Sequence, residues 1–422
     1  MEYLHTFPSG MRLIVKKING LLSVTTGVII KAGSSSENDN NNGISHFIEH
    51  MMFKGTKNRT AFDIADAADR IGAQLNAFTA KEMTCYYIKT TSEQLEKGME
   101  ILSDLLLNSV YDSKDIEKEK GVITEEIAMV EDTPDELCTD LLSLAYFGDK
   151  GLGRTILGSE DNVKSFKRAD IIKYLKDNYT AENIVVSIAG NVDVKRAEEL
   201  CEKYFSGFKK GKSGSPAGGE NAAPPFNDYQ KKVIYKYKDI EQMHIALAFP
   251  SCEYASPKTN AVSLINTVLG GGISSRLFQK LREEMGLAYS VYSFSSGYQN
   301  CGMAVVYAAV NNANYQTAAD VLLGEIYKLK SGGITADEFL RAKEQTKGAF
   351  VFSQESTSSQ MMLYGKYLLF TGEIFDFPNK INEINRVTMN DVNQALSENY
   401  IKTDMAAAYV GRSEELRLSL NS

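Results

Sequence analysis

The chain has 422 residues, 43% of them hydrophobic, and its 54 acids outnumber 46 Lys and Arg for a formal net charge of −8. That length suits two or more domains with sizeable cores, and the acidic balance, without a Lys/Arg-rich run, argues against a nucleic-acid binder while favouring cationic partners. The five cysteines (Cys85, Cys138, Cys201, Cys252, Cys301) form no Cys-x-x-Cys pair, no apolar run is membrane-spanning, and the first residues carry no signal or transit pattern, so the expectation is a cytoplasmic protein with no membrane among its partners.

In chain order, Arg12–Lys16 and Ser23–Lys31 are expected strands around a turn at Asn19-Gly20. A polar loop, Ser34–Asn42, leads into a helix. In it Ile44, Phe47, Ile48, Met51 and Met52 recur at helical spacing, one apolar stripe fit for burial. His46, Glu49 and His50 fall together on the opposite side. Two imidazoles at i and i+4 can chelate one metal ion, and the carboxylate between them can reach a water on it. This is the inverted zinc-peptidase pattern His-x-x-Glu-His. The plain alternative is a polar helix face, but the chain holds only four histidines and two of them are here.

Thr60–Ile71 is expected to be a helix stopped near Gly72. Leu75–Thr79 and Thr84–Thr90 are expected strands around a turn at Ala80-Lys81-Glu82, followed by a helix over Glu93–Leu107. Ser113 can cap a long helix toward Val130, and Pro134 marks a break with a further helix after it. Asp170–Asn178 is an expected helix and Ile184–Ala189 a strand. Gly211 to Pro225 holds three of the chain's eight prolines and has the composition of a linker.

Beyond it the pattern restarts, with strands at Val233–Tyr237 and His244–Phe249 and a helix at Ala261–Leu269. Strands at Ala288–Ser295 and Met303–Val310 precede a helix at Tyr315–Leu329. Asp170, Asn178-Tyr179 and Gly190 recur as Asp391, Asn399-Tyr400 and Gly411, at a constant offset of 221. The expected fold is therefore α+β: two tandem homologous α/β-sandwich domains, with mixed, antiparallel-rich sheets and helices packed on one face. The division is 1–210, a linker at 211–226, and 227–422. Aligning Ser45–Met51 with Ser263–Leu269 sets Leu264, Thr267 and Val268 against His46, Glu49 and His50, so only the first half carries the metal pattern.

Two histidines leave zinc short of a protein ligand and an open water position. On the helix after Ser113 the apolar stripe runs through Ile116, Ile123, Ile127 and Val130. Glu119 and Glu126, seven apart, lie at its edge, while Glu125 points to solvent. Glu126 is thus the preferred third ligand, with Glu119 behind it.

The stretch from Gly43 to Thr56 resembles the signature of the pitrilysin/insulinase metallopeptidases, in particular their short, processing-peptidase-like bacterial branch. The resemblance covers nearly the whole chain, including Asn76-Ala77-Phe78-Thr79 and Gly151-Leu152-Gly153-Arg154. It implies Zn2+, one per chain, held by His46, His50 and Glu126, since the family's third ligand also lies some 75 residues beyond the second histidine and its accessory glutamate seven earlier, at Glu119. It implies Glu49 as general base, and Leu75–Thr79, with Asn76, Ala77 and Phe78, as an edge strand that pairs with extended substrate. Arg282 and Tyr289 match a pair that binds substrate backbone and assists the oxyanion. Glu136 and Asp140 match acids that grip a basic side chain. The implied protein is a zinc endopeptidase acting on short or unfolded peptides in a closed homodimeric chamber. Its rivals are a non-catalytic scaffold of the same fold and a catalytic subunit needing a separate partner chain. Gly270-Gly271-Gly272 is expected to be a hinge.

Overall fold

The computed structural model describes residues 2–211, 232–400, 405–413 and 416–418. The expected linker at 211–226 lies, apart from Gly211, outside the described residues. The first half has strands β1 (Glu2–Thr6), β2 (Arg12–Lys17), β3 (Ser23–Ile30), β4 (Gln74–Thr79), β5 (Thr84–Thr91) and β6 (Ile184–Gly190). Its helices are α1 (Ile44–Met52), α2 (Ala61–Arg70), α3 (Leu95–Asn108), α4 (Ser113–Asp132), α5 (Pro134–Phe147), α6 (Glu160–Ser165), α7 (Arg168–Asn178) and α8 (Val194–Phe205). The second half has β7 (Val233–Tyr237), β8 (Gln242–Ser251), β9 (Ala288–Gly297), β10 (Gly302–Asn311) and β11 (Ala406–Gly411). Its helices are α9 (Thr259–Gly270), α10 (Tyr315–Gly332), α11 (Ala336–Ser353), α12 (Thr357–Thr371), α13 (Phe377–Arg386) and α14 (Met389–Glu398).

The duplication read from sequence is realised strand for strand between β2–β6 and β7–β11, and β1 is an addition to the first sheet. One sheet runs β1-β2-β6-β3-β5-β4 and the other β7-β11-β8-β10-β9. In each, a single parallel pair (β2 with β6, β7 with β11) joins an otherwise antiparallel ladder. β4 and β9 are the matching edges.

The described residues fall into two compact units. One lies within Met1–Ile127, Arg154–Ala222 and Phe352–Phe375, the other within Ala128–Gly153, Ala223–Val351 and Asp376–Ser422. The division expected at the linker is therefore crossed twice: α5 belongs with the second sheet and α12 with the first.

In the first unit Val24, Val28 and Ile30 of β3 join Val186 and Ile188 of β6 in one core. Phe47, Ile48 and Met51 of α1 close it, with Leu102 and Leu105 of α3 and Leu200 of α8. The alternate residues of the same strands face α12. There the Thr25 and Thr357 hydroxyls are 2.8 Å apart, and Ser187 Oγ donates to the Met361 carbonyl at 2.7 Å. A Cβ on Gly365 would lie 2.4 Å from Ile29, so only glycine lets α12 come this close.

The second unit repeats the scheme. Ile245, Leu247 and Phe249 of β8 pack with Leu264 and Ile265 of α9 and Leu322 of α10. Ala246 and Ala248 pack with Leu137, Cys138 and Leu142 of α5. The α+β class is as expected, and the second face of each sheet is covered too. The reason is visible in the strands: β6 and β10 are buried at nearly every position, and such strands need cover on both faces.

Candidate metal centre

Helix α1 buries its stripe as its spacing requires: Ile44, Phe47, Ile48, Met51 and Met52 are each at most 1% exposed. Its other side is not open to solvent either. His46 is 7% exposed. Glu49 accepts a hydrogen bond from Thr79 Oγ1 of β4 at 2.6 Å. Burial first, and the negative charge of Glu126 among the lesser causes, push the Glu49 carboxyl above its ordinary range, against the pull of Thr79 and His50. Burial beside His50 takes the His46 imidazole down to about 3, so it stays neutral with a lone pair to give.

Helix α4 supplies the third group. Glu126 Oε2 stands 3.6 Å from His46 Nε2 and 3.4 Å from His50 Nε2. The two imidazoles lie 4.6 Å apart at an interplanar angle of 62°. One atom from each of His46, His50 and Glu126 falls within 4.8 Å of the others. Glu119, 3% exposed, sits behind: its Oε1 is 2.9 Å from His50 Nδ1 and its Oε2 is 2.7 Å from Lys54 Nζ. Burial raises the Glu119 carboxyl, but His50 and Lys54 outweigh it and hold the group below its ordinary range, as a carboxylate. With Nδ1–H donated to Glu119, His50 turns Nε2 toward Glu126 and His46.

Two imidazole nitrogens and one carboxylate oxygen converge beyond direct hydrogen-bond range of one another. The set fits zinc: it is a three-ligand, nitrogen-and-oxygen arrangement with a position left over, and one histidine is fixed by a carboxylate. Side-chain exposure rises from 9% at His46 through 23% at His50 to 31% at Glu126, so the centre is approached from the Glu126 side.

The remaining expected residues fall as follows. β4 is the end strand of its sheet, paired among the described residues with β5 alone. Leu75 and Ala77 turn to the core and Asn76 is exposed, its Oδ1 accepting from the Ala77 N–H at 2.8 Å; Phe78 is half-buried. In the second unit Arg282 Nη1 donates to the Tyr289 carbonyl at 2.6 Å, and its guanidinium stands 5.4 Å from the centre of the Tyr289 ring, which is 75% exposed. Arg282 lies on a π-helical stretch, Phe278–Glu284, and Tyr289 on the edge strand β9. Glu136 and Asp140 lie on α5, in the second unit, the first exposed and the second half-buried. Of the three glycines before this stretch, two are required by close packing. A Cβ on Gly270 would lie 2.4 Å from the Ser293 main chain, and one on Gly271 2.6 Å from that of Thr267; Gly272 alone has room.

Sequence reasoning gave no role to Thr79 or Lys54. Each had a signal: Thr79 closes the strand that carries Asn76, and Lys54 follows His50 by four residues, one helical turn.

A model of the insulinase family (peptidase family M16) matches residues 14–160, and one of the peptidase M16 inactive domain matches residues 165–346. The chain is 38% identical over 409 residues to the uncharacterised zinc protease YmxG of Bacillus subtilis, covering 97% of this chain and 98% of that one. It is 36% identical over 391 residues to an uncharacterised zinc protease of Streptomyces coelicolor, covering 92% and 84%. In fold it resembles a protease from Helicobacter pylori, with a TM-score of 0.88 at 22% identity over 97% of this chain and 99% of that one. It also resembles a Pseudomonas fluorescens structure described as a peptidase M16 inactive domain, with a TM-score of 0.91 at 17% identity over 99% of both chains.

Proposed function

The chain belongs to the insulinase family of zinc proteases, peptidase family M16, and from that premise we propose that it is a zinc endopeptidase for short or unfolded peptides. The observation that carries this reading is the convergence of His46, His50 and Glu126 beside a Glu49 held by Thr79. A scaffold has no need of a complete ligand set with an oriented acid–base group next to it.

His46, His50 and Glu126 would hold the ion, one per chain. When bound, it supplies Lewis-acid polarisation of a water and of the scissile carbonyl. Glu49 takes the water's proton and returns a proton to the leaving amine. Thr79 Oγ–H holds the Glu49 carboxylate through Oε2 and so orients it for that work. The free edge of β4 receives the substrate main chain as an added strand, which requires an extended peptide. Glu136 and Asp140 present two carboxylates that suit a basic side chain. Arg282 and Tyr289 contact the substrate backbone and assist at the carbonyl oxygen. The working form is a cytoplasmic homodimer enclosing a chamber, in which this pair serves the centre of the partner chain.

The test is hydrolysis of a quenched fluorescent peptide with an arginine near the cleavage point, with metal content measured alongside. The expected result is about one zinc per chain, turnover lost on chelation, and turnover down about 10²–10⁴-fold in Glu49→Gln with zinc retained. A zinc-loaded dimer that cleaves no peptide would return the protein to the scaffold or missing-partner readings.

A further inference from the structure

The metal helix cannot cap itself. The residue at its N-cap is Gly43, at φ 98°, in the left-handed region that favours glycine, and a Cβ there would lie 2.5 Å from the Leu157 carbonyl oxygen. Glycine offers no side-chain oxygen to the free N–H groups of the first turn. The Ile44 N–H reaches the Asn41 carbonyl at 3.0 Å. The N–H groups of Gly43 and Ser45 go instead to one side chain, six residues upstream of the cap. Glu37 Oε2 accepts from Gly43 at 2.7 Å and Oε1 from Ser45 at 2.8 Å, while Asn42 Nδ2 donates to Oε2 at 2.9 Å.

Glu37 is 0% exposed. Burial is the largest influence and leaves its carboxyl above the ordinary range, against the pull of hydrogen bonds from Asn42, Ser45 and Gly43. Each of those partners is a donor, as a carboxylate at the positive end of a helix requires. Its own main chain is tied as well. Arg154, 7% exposed, donates from Nη1 to the Glu37 carbonyl and from Nη2 to Asp39 Oδ1, both at 2.5 Å. Ser45, the residue before the first ligand, is held on its other side by the Tyr174 hydroxyl at 2.8 Å.

The repeat provides an internal control. The segment entering α9, the counterpart of α1, is Cys252–Lys258, and its one acid, Glu253, is exposed. A helix in the same place in the same fold therefore forms without a buried carboxylate at its entrance. The half that has the carboxylate is the half that has the ligands.

We infer that Glu37 is a positioning residue for the metal centre: its carboxylate clamps the first turn of α1 and so fixes where His46, Glu49 and His50 are presented. The inference rests on the zinc reading above. Substituting Glu37→Gln keeps the shape but turns an N–H₂ group toward N–H donors, so the clamp opens on one side.

The experiment compares wild type, Glu37→Gln and Asp376→Ala as full chains. Asp376 caps α13 in the second unit, accepting from the Asn379 N–H at 2.9 Å, and serves as a cap far from the ligands in sequence. Zinc affinity is measured by chelator competition, the thermal midpoint on zinc-free protein, and kcat and KM on the peptide. Both variants are expected to melt earlier than wild type. Only Glu37→Gln is expected to bind zinc more weakly, by about ten-fold, and to lose kcat at unchanged KM. If folded Glu37→Gln binds zinc and turns over within two-fold of wild type, Glu37 is a structural cap and the inference is wrong. If Glu37→Gln does not fold, Arg154→Lys loosens the same loop from outside: about a three-fold loss of zinc affinity is expected, and unchanged affinity overturns the inference. Wild type that binds no zinc would overturn the zinc reading itself, which separates the two failures.

Discussion

Helices α1 and α9 hold the same place in two copies of one sheet and differ in what lies on their second side. In α1 that side carries His46, Glu49 and His50, is entered past a buried carboxylate, and looks toward Glu126 and Thr79. In α9 the aligned residues are Leu264, Thr267 and Val268. Leu264 and Val268 are 0% and 6% exposed, and the Thr267 hydroxyl turns back to the Ser263 carbonyl at 2.9 Å and stands 3.3 Å from that of Thr346. The same backbone presents a metal-ligand set in one unit and packing residues in the other. A sheet with a covering helix sets where side chains stand, and the residues at three positions decide whether a metal can be held. The match of residues 165–346, which include α9, to an inactive family domain agrees with this division.

The comparison can be broken most sharply by exchanging costs at equivalent positions. Leu264→Ala is expected to lower stability by about 2–5 kcal/mol, since it empties a buried site, and to leave zinc content unchanged. His46→Ala is expected to abolish stoichiometric zinc binding while the zinc-free protein loses much less stability. Metal analysis and denaturant unfolding of both variants check this. A Leu264→Ala chain that loses zinc would show that the two units are not specialised as described.

A second test asks whether the units cooperate across chains. Glu49→Gln and Tyr289→Phe should each be inactive or nearly so as homodimers. Unfolded and refolded together, they should recover about a quarter of wild-type turnover, the share of intact sites in randomly mixed dimers. Mixed dimers that form and stay inactive would place Arg282 and Tyr289 in service of their own chain's centre.

The smallest expected effect lies in the second unit alone. Arg276 grips Glu338 through two bonds of 2.7 Å and reaches the Gly333 carbonyl at 2.9 Å. The hydrogen bonds from Arg276, opposed by burial and helped by the Thr335 N–H, lower the Glu338 carboxyl from 4.5 to about 2. A lowered folded pKa means that the contribution is complete above 4.5 and disappears as pH falls through the window from 4.5 to about 2. The gap in thermal midpoint between wild type and Glu338→Gln should be widest at neutral pH, amount to a few degrees, and narrow across that window. A gap that does not vary with pH would mean that the ion pair adds nothing beyond packing.

Much of this molecule was legible in the residues because its signals are local. The helical stripe of α1, the spacing of His46, Glu49 and His50, the position of Glu126 on the apolar edge of α4, and the repeat at an offset of 221 depend only on periodicity along the chain. Most strands follow from the same kind of pattern. The exchange of α5 and α12 between units was not legible, because an amphipathic helix announces that it needs a partner and not which sheet will supply it. Gly27 and Gly365 record that choice only in three dimensions, where a Cβ on either would strike Met361 or Ile29.

The same limit applies inside the centre. The sequence by itself determined which residues can bind a metal, since that is fixed by side-chain chemistry and helical spacing. Only the tertiary structure decided which groups hold those residues in place. Thr79 lies 30 residues from Glu49, Glu119 lies 69 from His50, and Glu37 reaches back across a loop to the helix after it. A hydrogen bond is set by distance and direction in space, and for groups far apart in the chain those are determined only once the β-sheet has closed and α4 has docked.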